Sequence, residues 1–238
     1  MHRAPVSLIS FELEMALLKL FSRLWRSARM SEFERRHLSQ VARWKADDGE
    51  ELRYRFPELG CESVVIDLGG YEGSWAERLT SYYNVHMHVF EAHPGFASAL
   101  QKAMAGRKKT TVHPVALASA NGTFSLTEDG DGSRADATGK IVCKSVEAKA
   151  YLTAIGVEKI DLLKINIEGG EYDILPHLID MDLISNVKIL QVQFHRYSEA
   201  DERARDDIIR RLAVTHERTW NYDFVWEDWR LRSSLRQC

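Results

Sequence analysis

The chain is poor in the features that mark several protein classes. Its 238 residues hold three cysteines, Cys61, Cys143 and Cys238. They are too few and too scattered for a disulfide framework or a zinc site, and a reducing cytoplasm is the expected location. Positive charge is not in excess: 32 Lys and Arg against 35 Asp and Glu leave a net charge of -3. That removes the electrostatic ground for a nucleic-acid partner. His113, His177 and His216 fall on different predicted elements, so no metal site is expected. The most apolar stretch, residues 8–25, is interrupted by Glu12, Glu14 and Lys19. Neither a membrane span nor a signal-peptide core is expected there.

What that stretch does carry is a helical pattern. Leu8, Phe11, Met15 and Leu18 share one face, and Glu12, Lys19, Arg23 and Arg26 share another. The pattern predicts a helix packed on its own domain or on a second subunit, so a homodimer is compatible with it. Peripheral membrane contact through residues 8–26 is the less favoured reading of the basic edge. Residues 31–58 are charged and helical in character, and Arg55-Phe56-Pro57-Glu58-Leu59-Gly60 breaks the pattern. The expected organisation is an N-terminal helical extension over residues 1–60 and a functional core over residues 61–238.

From residue 63 onward, strand-like and helix-like segments alternate. Strands are predicted at 63–68, 86–91, 111–117, 160–166 and 187–194, and helices at 73–83, 95–105, 169–180 and 200–213. This order specifies an α/β fold: a Rossmann-like, doubly wound, mainly parallel sheet. Residues 122–145 read as an inserted hairpin and loop, with Glu128-Asp129-Gly130-Asp131-Gly132-Ser133 at the tip. Trp220, Tyr222, Phe224 and Trp226 recur at a period of two. They predict a strand or hairpin with an aromatic face, an antiparallel C-terminal edge whose rings serve core packing.

The most telling run is Val64-Val65-Ile66-Asp67-Leu68-Gly69-Gly70-Tyr71-Glu72-Gly73. A buried strand ends in an acid and enters a glycine turn and a helix start. Glu91 closes a second apolar run 24 residues after Asp67, about the spacing that sets a carboxylate beside a ribose. A dinucleotide fingerprint would need a glycine where Tyr71 stands, and a P-loop would need Gly-Lys-Ser/Thr where Gly73-Ser74-Trp75 stands. The remaining D-x-G-x-x-x-G pattern resembles the first motif of the S-adenosylmethionine-dependent methyltransferases. The plainer alternative is a glycine turn of some other α/β domain.

A second unusual run is Lys164-Ile165-Asn166-Ile167-Glu168. A buried parallel strand is normally apolar throughout, yet Lys164, Asn166 and Glu168 share one face here, as do Gln191, Gln193 and His195 in the last predicted parallel strand. The two strands should be neighbours, and their polar faces should form one hydrogen-bonded network, either structural or serving a ligand. Asp67, Glu91, Glu168 and His195 each fall at the carboxyl end of a predicted strand, the edge at which open α/β sheets bind ligands.

From about residue 56 to 231 the chain resembles the FkbM-type methyltransferases. The residues that carry the likeness are Ile66-Asp67-Leu68-Gly69-Gly70-Tyr71-Glu72-Gly73, Val89-Phe90-Glu91-Ala92-His93-Pro94, Ala116-Leu117-Ala118, Asp131-Gly132-Ser133, Leu163-Lys164-Ile165-Asn166-Ile167-Glu168-Gly169-Gly170-Glu171 and Gln191-Val192-Gln193-Phe194-His195. Asn166 stands where many members carry Asp, and Arg134 where a second serine is common.

The resemblance implies a class I methyltransferase fold with S-adenosyl-L-methionine as cofactor. It also implies methylation of a hydroxyl on a sugar, polysaccharide precursor or similar natural product. Asp67, Gly69, Gly70, Tyr71, Gly73, Glu91 and Ala92 are the expected cofactor-binding residues. Asp67 would organise the loop and the cofactor's ammonium end, and Glu91 would accept from both ribose hydroxyls. His195 is the first candidate for a base that takes the acceptor's proton, with Glu168 the alternative. Lys164 completes the expected catalytic set, pairing with a buried carboxylate rather than reacting. Two other classes stay open: a glycosyltransferase using Asp129-Gly130-Asp131 to hold a metal and a nucleotide sugar, and a non-catalytic module that keeps the cofactor fold.

Overall fold

The computed structural model describes residues 30–127, 134–135 and 138–235. The helix expected within residues 8–26 and the Asp129-Gly130-Asp131 tip lie outside them. Helices α1 (Glu32–Ala46) and α2 (Gly49–Leu52) come first. They are followed by β1 (Val64–Leu68), α3 (Ser74–Tyr83), β2 (His86–Phe90), α4 (Pro94–Met104) and β3 (Thr110–His113). An inserted unit comes next, with β4 (Ala116–Ala118), β5 (Gly122–Thr127), β6 (Arg134–Ala135) and β7 (Ile141–Glu147). The chain returns through α5 (Ala148–Ala154), β8 (Ile160–Ile165), α6 (Glu171–Asp180) and β9 (Val187–Val192). It ends in α7 (Glu199–Thr215), β10 (His216–Tyr222) and β11 (Trp226–Leu231).

Seven strands form the main sheet in the order β10-β11-β9-β8-β1-β2-β3. The five from β9 to β3 are parallel, and β11 runs antiparallel to both β9 and β10. The apolar alternation of the strands explains the double winding. Ile66, Leu68, Leu163, Ile165, Leu190 and Val192 bury one face against α5, α6 and α7. Val65, Met87, Val89, Leu162 and Ile189 bury the other against α3 and α4. Each such side chain removed from water contributes about 1.5–3 kcal/mol. Strand order reverses between β1 and β8, which opens a crevice at their carboxyl ends.

The inserted unit is a second sheet, ordered β4-β7-β5-β6, and the predicted hairpin is its antiparallel β5–β7 pair. The strand predicted at 111–117 divides into β3 and β4, one in each sheet. Pro114 separates them, since it has no N–H to continue a ladder, and Val115 N turns back to donate to the His113 carbonyl at 2.9 Å. The aromatic run is a hairpin. Trp220, Tyr222 and Trp226 pack with Trp44 of α1, while Phe224, at φ +55° in the turn, meets Phe33 with ring centroids 5.3 Å apart. Ser31 and Glu34 close a capping box at the start of α1. Among the described residues, no helix is long and apolar enough to cross a membrane.

Strands β8 and β9 are neighbours, with Lys164 opposite Gln191. Their polar side chains meet at the carboxyl end, where His195 lies 3.2 Å from Glu168, but Lys164 and Gln191 do not pair with each other. Lys164 turns to Asp67 on β1, and Gln191 donates to Asp228 on β11 at 3.0 Å. Each central strand has a second neighbour, and those neighbours supply the closer carboxylates.

Candidate active site

A cavity of about 380 Å³ lies between the carboxyl ends of β1, β2 and β8 and the inserted sheet. Gly69, Tyr71, Glu91, Ala92, Asn166 and Glu168 line it from the main sheet, and Leu117, Phe124, Leu126 and Ser145 from the insertion.

The turn after β1 is held from two sides. Gly69 N and Gly70 N both donate to the Phe90 carbonyl, at 3.0 and 3.2 Å. Gly69 has φ +84°, and a Cβ there would sit 1.9 Å from the Asn166 carbonyl oxygen. Only glycine fits, on conformation and on space. Gly73, at φ +86°, begins α3, and a Cβ there would lie 2.5 Å from the Leu100 side chain. Below the turn, the Lys164 ammonium lies 2.7 Å from Asp67 and donates to the Gly69 carbonyl at 2.8 Å. Burial pushes the Asp67 carboxyl up, and the Lys164 charge opposes that shift.

Glu91 anchors the next turn. Its Oε2 accepts from Tyr71 N and its Oε1 from His93 N, both at 2.8 Å. Burial raises its carboxyl, and these two N–H groups pull it back. The Tyr71 ring packs edge-on to Phe96 at 4.6 Å. His93 caps α4, with Nδ1 accepting from Gly95 N and Phe96 N.

The third turn joins β8 to α6. Glu168 adopts φ +51°, a strained value for a residue with a side chain, and Gly169 follows at +101°. Fully buried Glu171 closes the turn: Oε1 accepts from Ile167 N and Oε2 from Gly169 N, both at 2.9 Å. His195, just past β9, bridges the two acids. Its Nδ1 lies 3.0 Å from Glu171 and its Nε2 3.2 Å from Glu168. Burial alone would lower the imidazole's value, but the hydrogen bonds and charges of Glu168 and Glu171 prevail and raise it to about 9. The His195 bond in turn holds the Glu168 carboxyl below its usual range, against the effect of burial. Tyr197 also donates to Glu168, at 3.0 Å.

Gly69, Tyr71, Glu91, Ala92 and Glu168 therefore face the cavity, whereas Asp67, Gly70, Gly73, Lys164 and His195 do not line it. Lys164 is buried beneath the loop, 3% exposed, where it pairs with the Asp67 carboxylate and donates to the Gly69 carbonyl. His195 stands behind Glu168 with a carboxylate oxygen facing each ring nitrogen, an arrangement that favours the imidazolium. Asp67 meets the Lys164 ammonium and does not line the cavity. Sequence reasoning did not single out Glu171, which closes this turn, although its position three residues after Glu168 was the available signal. It also missed the apolar wall of Phe124 and Leu126, which no local pattern announces. Among the described residues, no group of three or more His, Cys, Asp or Glu could hold a metal ion.

Residues 67–224 match the methyltransferase FkbM domain family. The chain belongs to this family. A comparison with curated proteins finds no match. Among solved structures, the methyltransferase FkbM of Methylobacillus flagellatus KT aligns at TM-score 0.49 and 13% identity, over 75% of this chain and 44% of that one. This chain thus spans less than half the length of that protein. The fibrillarin pre-rRNA processing protein of Methanococcus jannaschii aligns at TM-score 0.46 and 12% identity, over 74% and 70% of the two chains. Aeropyrum pernix fibrillarin, solved with natively bound S-adenosyl-L-methionine, aligns at TM-score 0.43 and 9% identity, over 74% and 69%.

The FkbM methyltransferase family is S-adenosylmethionine-dependent, and the cavity fits that cofactor. Its lining is rich in acceptors, which suits a ligand carrying a sulfonium, an ammonium and ribose hydroxyls. Asn166, one of the lining residues, has a buried Oδ1 acceptor with no hydrogen-bond partner among the described residues. Gly69, whose missing Cβ lets the turn pack against the Asn166 carbonyl, also lies on this lining.

Proposed function

We propose that this FkbM methyltransferase methylates a hydroxyl of a sugar, a polysaccharide precursor or a similar natural product. The observation that carries the reading is that Glu168 lines the same cavity as the Gly69 turn and Glu91. Glu91 would accept from the ribose hydroxyls: each oxygen takes one backbone N–H and keeps a second direction free. Gly69, Tyr71 and Ala92 would line that half of the site, and Asp67 with Lys164 would brace it from below. When bound, S-adenosylmethionine supplies an electrophilic methyl on a positively charged sulfur.

The chain's own contribution is positioning, which supplies much of the rate in such displacements. Glu168 would accept the hydrogen bond of the acceptor hydroxyl, aim its lone pair and take the proton as the new bond forms. A carboxylate held low is a weak base, so orientation is the larger share of its work. Phe124 and Leu126 would pack against the apolar face of the acceptor. Glu91, Glu168 and Asp173 line the cavity, and no Lys or Arg does so among the described residues. That charge balance argues against a polyanionic acceptor such as nucleic acid.

The test is calorimetric titration of the full chain with S-adenosylmethionine, NAD and a nucleotide sugar, followed by mass spectrometry of a panel of glycosides incubated with the cofactor. Selective binding and a methylated glycoside are expected. Methylation of a nucleic acid and of no glycoside would overturn the acceptor class, and failure to bind the cofactor would overturn the enzyme reading.

A further inference from the structure

The turn that presents Glu168 rests on a residue that reaches neither the cavity nor solvent. Glu171 is fully buried and gathers three donors: the amides of Ile167 and Gly169, and Nδ1 of His195. The two amides flank Glu168, so the bonds hold that residue in the left-handed conformation that a side chain disfavours. A buried carboxylate is costly unless its oxygens are matched by donors, and here both are.

The imidazole completes the arrangement. Each ring nitrogen of His195 faces a carboxylate oxygen, which calls for an N–H on both nitrogens and hence for the imidazolium. A neutral ring would set one lone pair against another. The other groups around His195 fit the charged ring. The Tyr197 ring stacks on it at 6.3 Å and directs its hydroxyl to Glu168. Tyr172 of α6 donates to the His195 carbonyl at 2.7 Å. Arg196, next in the chain, is paired with Glu202 of α7 at 2.7 Å.

We propose that Glu171 is the positioning residue of the transfer site: through the amides of Ile167 and Gly169 and through His195, it holds the Glu168 carboxylate ionised and oriented at the cavity. The proposal rests on the reading of Glu168 given above. Glu171 touches no ligand, and its effect passes through the turn and the ring. The charge is essential to it. An amide in its place has one acceptor oxygen, and its NH2 would confront either a backbone N–H or the imidazolium.

The experiment is imidazole nitrogen NMR of the full chain between about pH 6 and 10, comparing the parent protein with Glu171→Gln and Glu168→Gln. In the parent, His195 should lose its second proton near pH 9. Glu171→Gln should bring that midpoint down towards the ordinary value and speed amide exchange at Ile167 or Gly169 by about tenfold or more. An unchanged midpoint in Glu171→Gln, or an ordinary one in the parent, would overturn the proposal. If Glu171→Gln does not fold, Glu168→Gln decides: a midpoint that stays above the ordinary value leaves Glu171 as the anchor, and one that falls to it assigns the anchoring to Glu168. Calorimetry of the parent with S-adenosylmethionine separates the two levels. Lost cofactor binding with a high His195 midpoint would sink the methyltransferase reading alone, and intact binding with an ordinary midpoint would sink this one alone.

Discussion

The Lys164 ammonium lies 2.7 Å from a carboxylate oxygen of Asp67, with both side chains sealed from water. The same ammonium holds the Gly69 carbonyl at 2.8 Å, so one buried ion pair braces the turn beneath the cavity. Removing one partner strands the other charge. Lys164→Met should therefore cost about 3–5 kcal/mol, read as a lowered denaturant midpoint. Adding Asp67→Asn should recover a large part of that loss. A double variant no more stable than Lys164→Met would show that packing, not charge, sets the cost.

Gly69→Ala tests the turn itself. The added Cβ would meet the Asn166 carbonyl at 1.9 Å with φ at +84°, so the turn must open. A stability loss of about 1–3 kcal/mol is expected, together with weakened S-adenosylmethionine binding by calorimetry. Parent-like affinity in this variant would mean that the cofactor does not use the turn.

Glu91→Ala removes the acceptor for Tyr71 N and His93 N as well as the proposed ribose contact. Unpairing such groups should weaken cofactor binding by about 1–3 kcal/mol. Unchanged affinity would sink the ribose assignment.

The His195 bridge sets a pH dependence. Its value rises from 6.5 to about 9 on folding, so the native state holds a proton that the unfolded chain releases. The stabilisation is complete below pH 6.5 and is lost as pH rises through about 9. It should amount to on the order of 3 kcal/mol. Thermal unfolding midpoints should fall between about pH 7 and 10, and His195→Gln should flatten that slope. A parent protein whose midpoint is level across this range would contradict the imidazolium.

Much of this site is readable as local pattern. Val64 to Gly73 announces a strand, an acid and a tight turn because burial and φ constraints act within a few residues. Glu91 follows at the distance that one helix and one strand impose. The same logic places Lys164, Asn166 and Glu168 on one side of their strand, but it does not say what each one meets. The split at Pro114, which sends β3 and β4 into different sheets, shows the limit: a short apolar run carries no mark of which sheet it joins.

The amino-acid sequence by itself determined the alternating α/β order, the glycine turn and the set of acids at the strand ends, since these depend on periodicity and backbone conformation. Only the tertiary structure decided which of those side chains faces the cavity and in which charge state. Lys164 is turned away by Asp67 on the adjacent strand, and His195 becomes an imidazolium because Glu171, 24 residues earlier in the chain, lies against it. Exposure and protonation are set by what packs nearby, and packing joins residues whose separation in sequence carries no periodic signal.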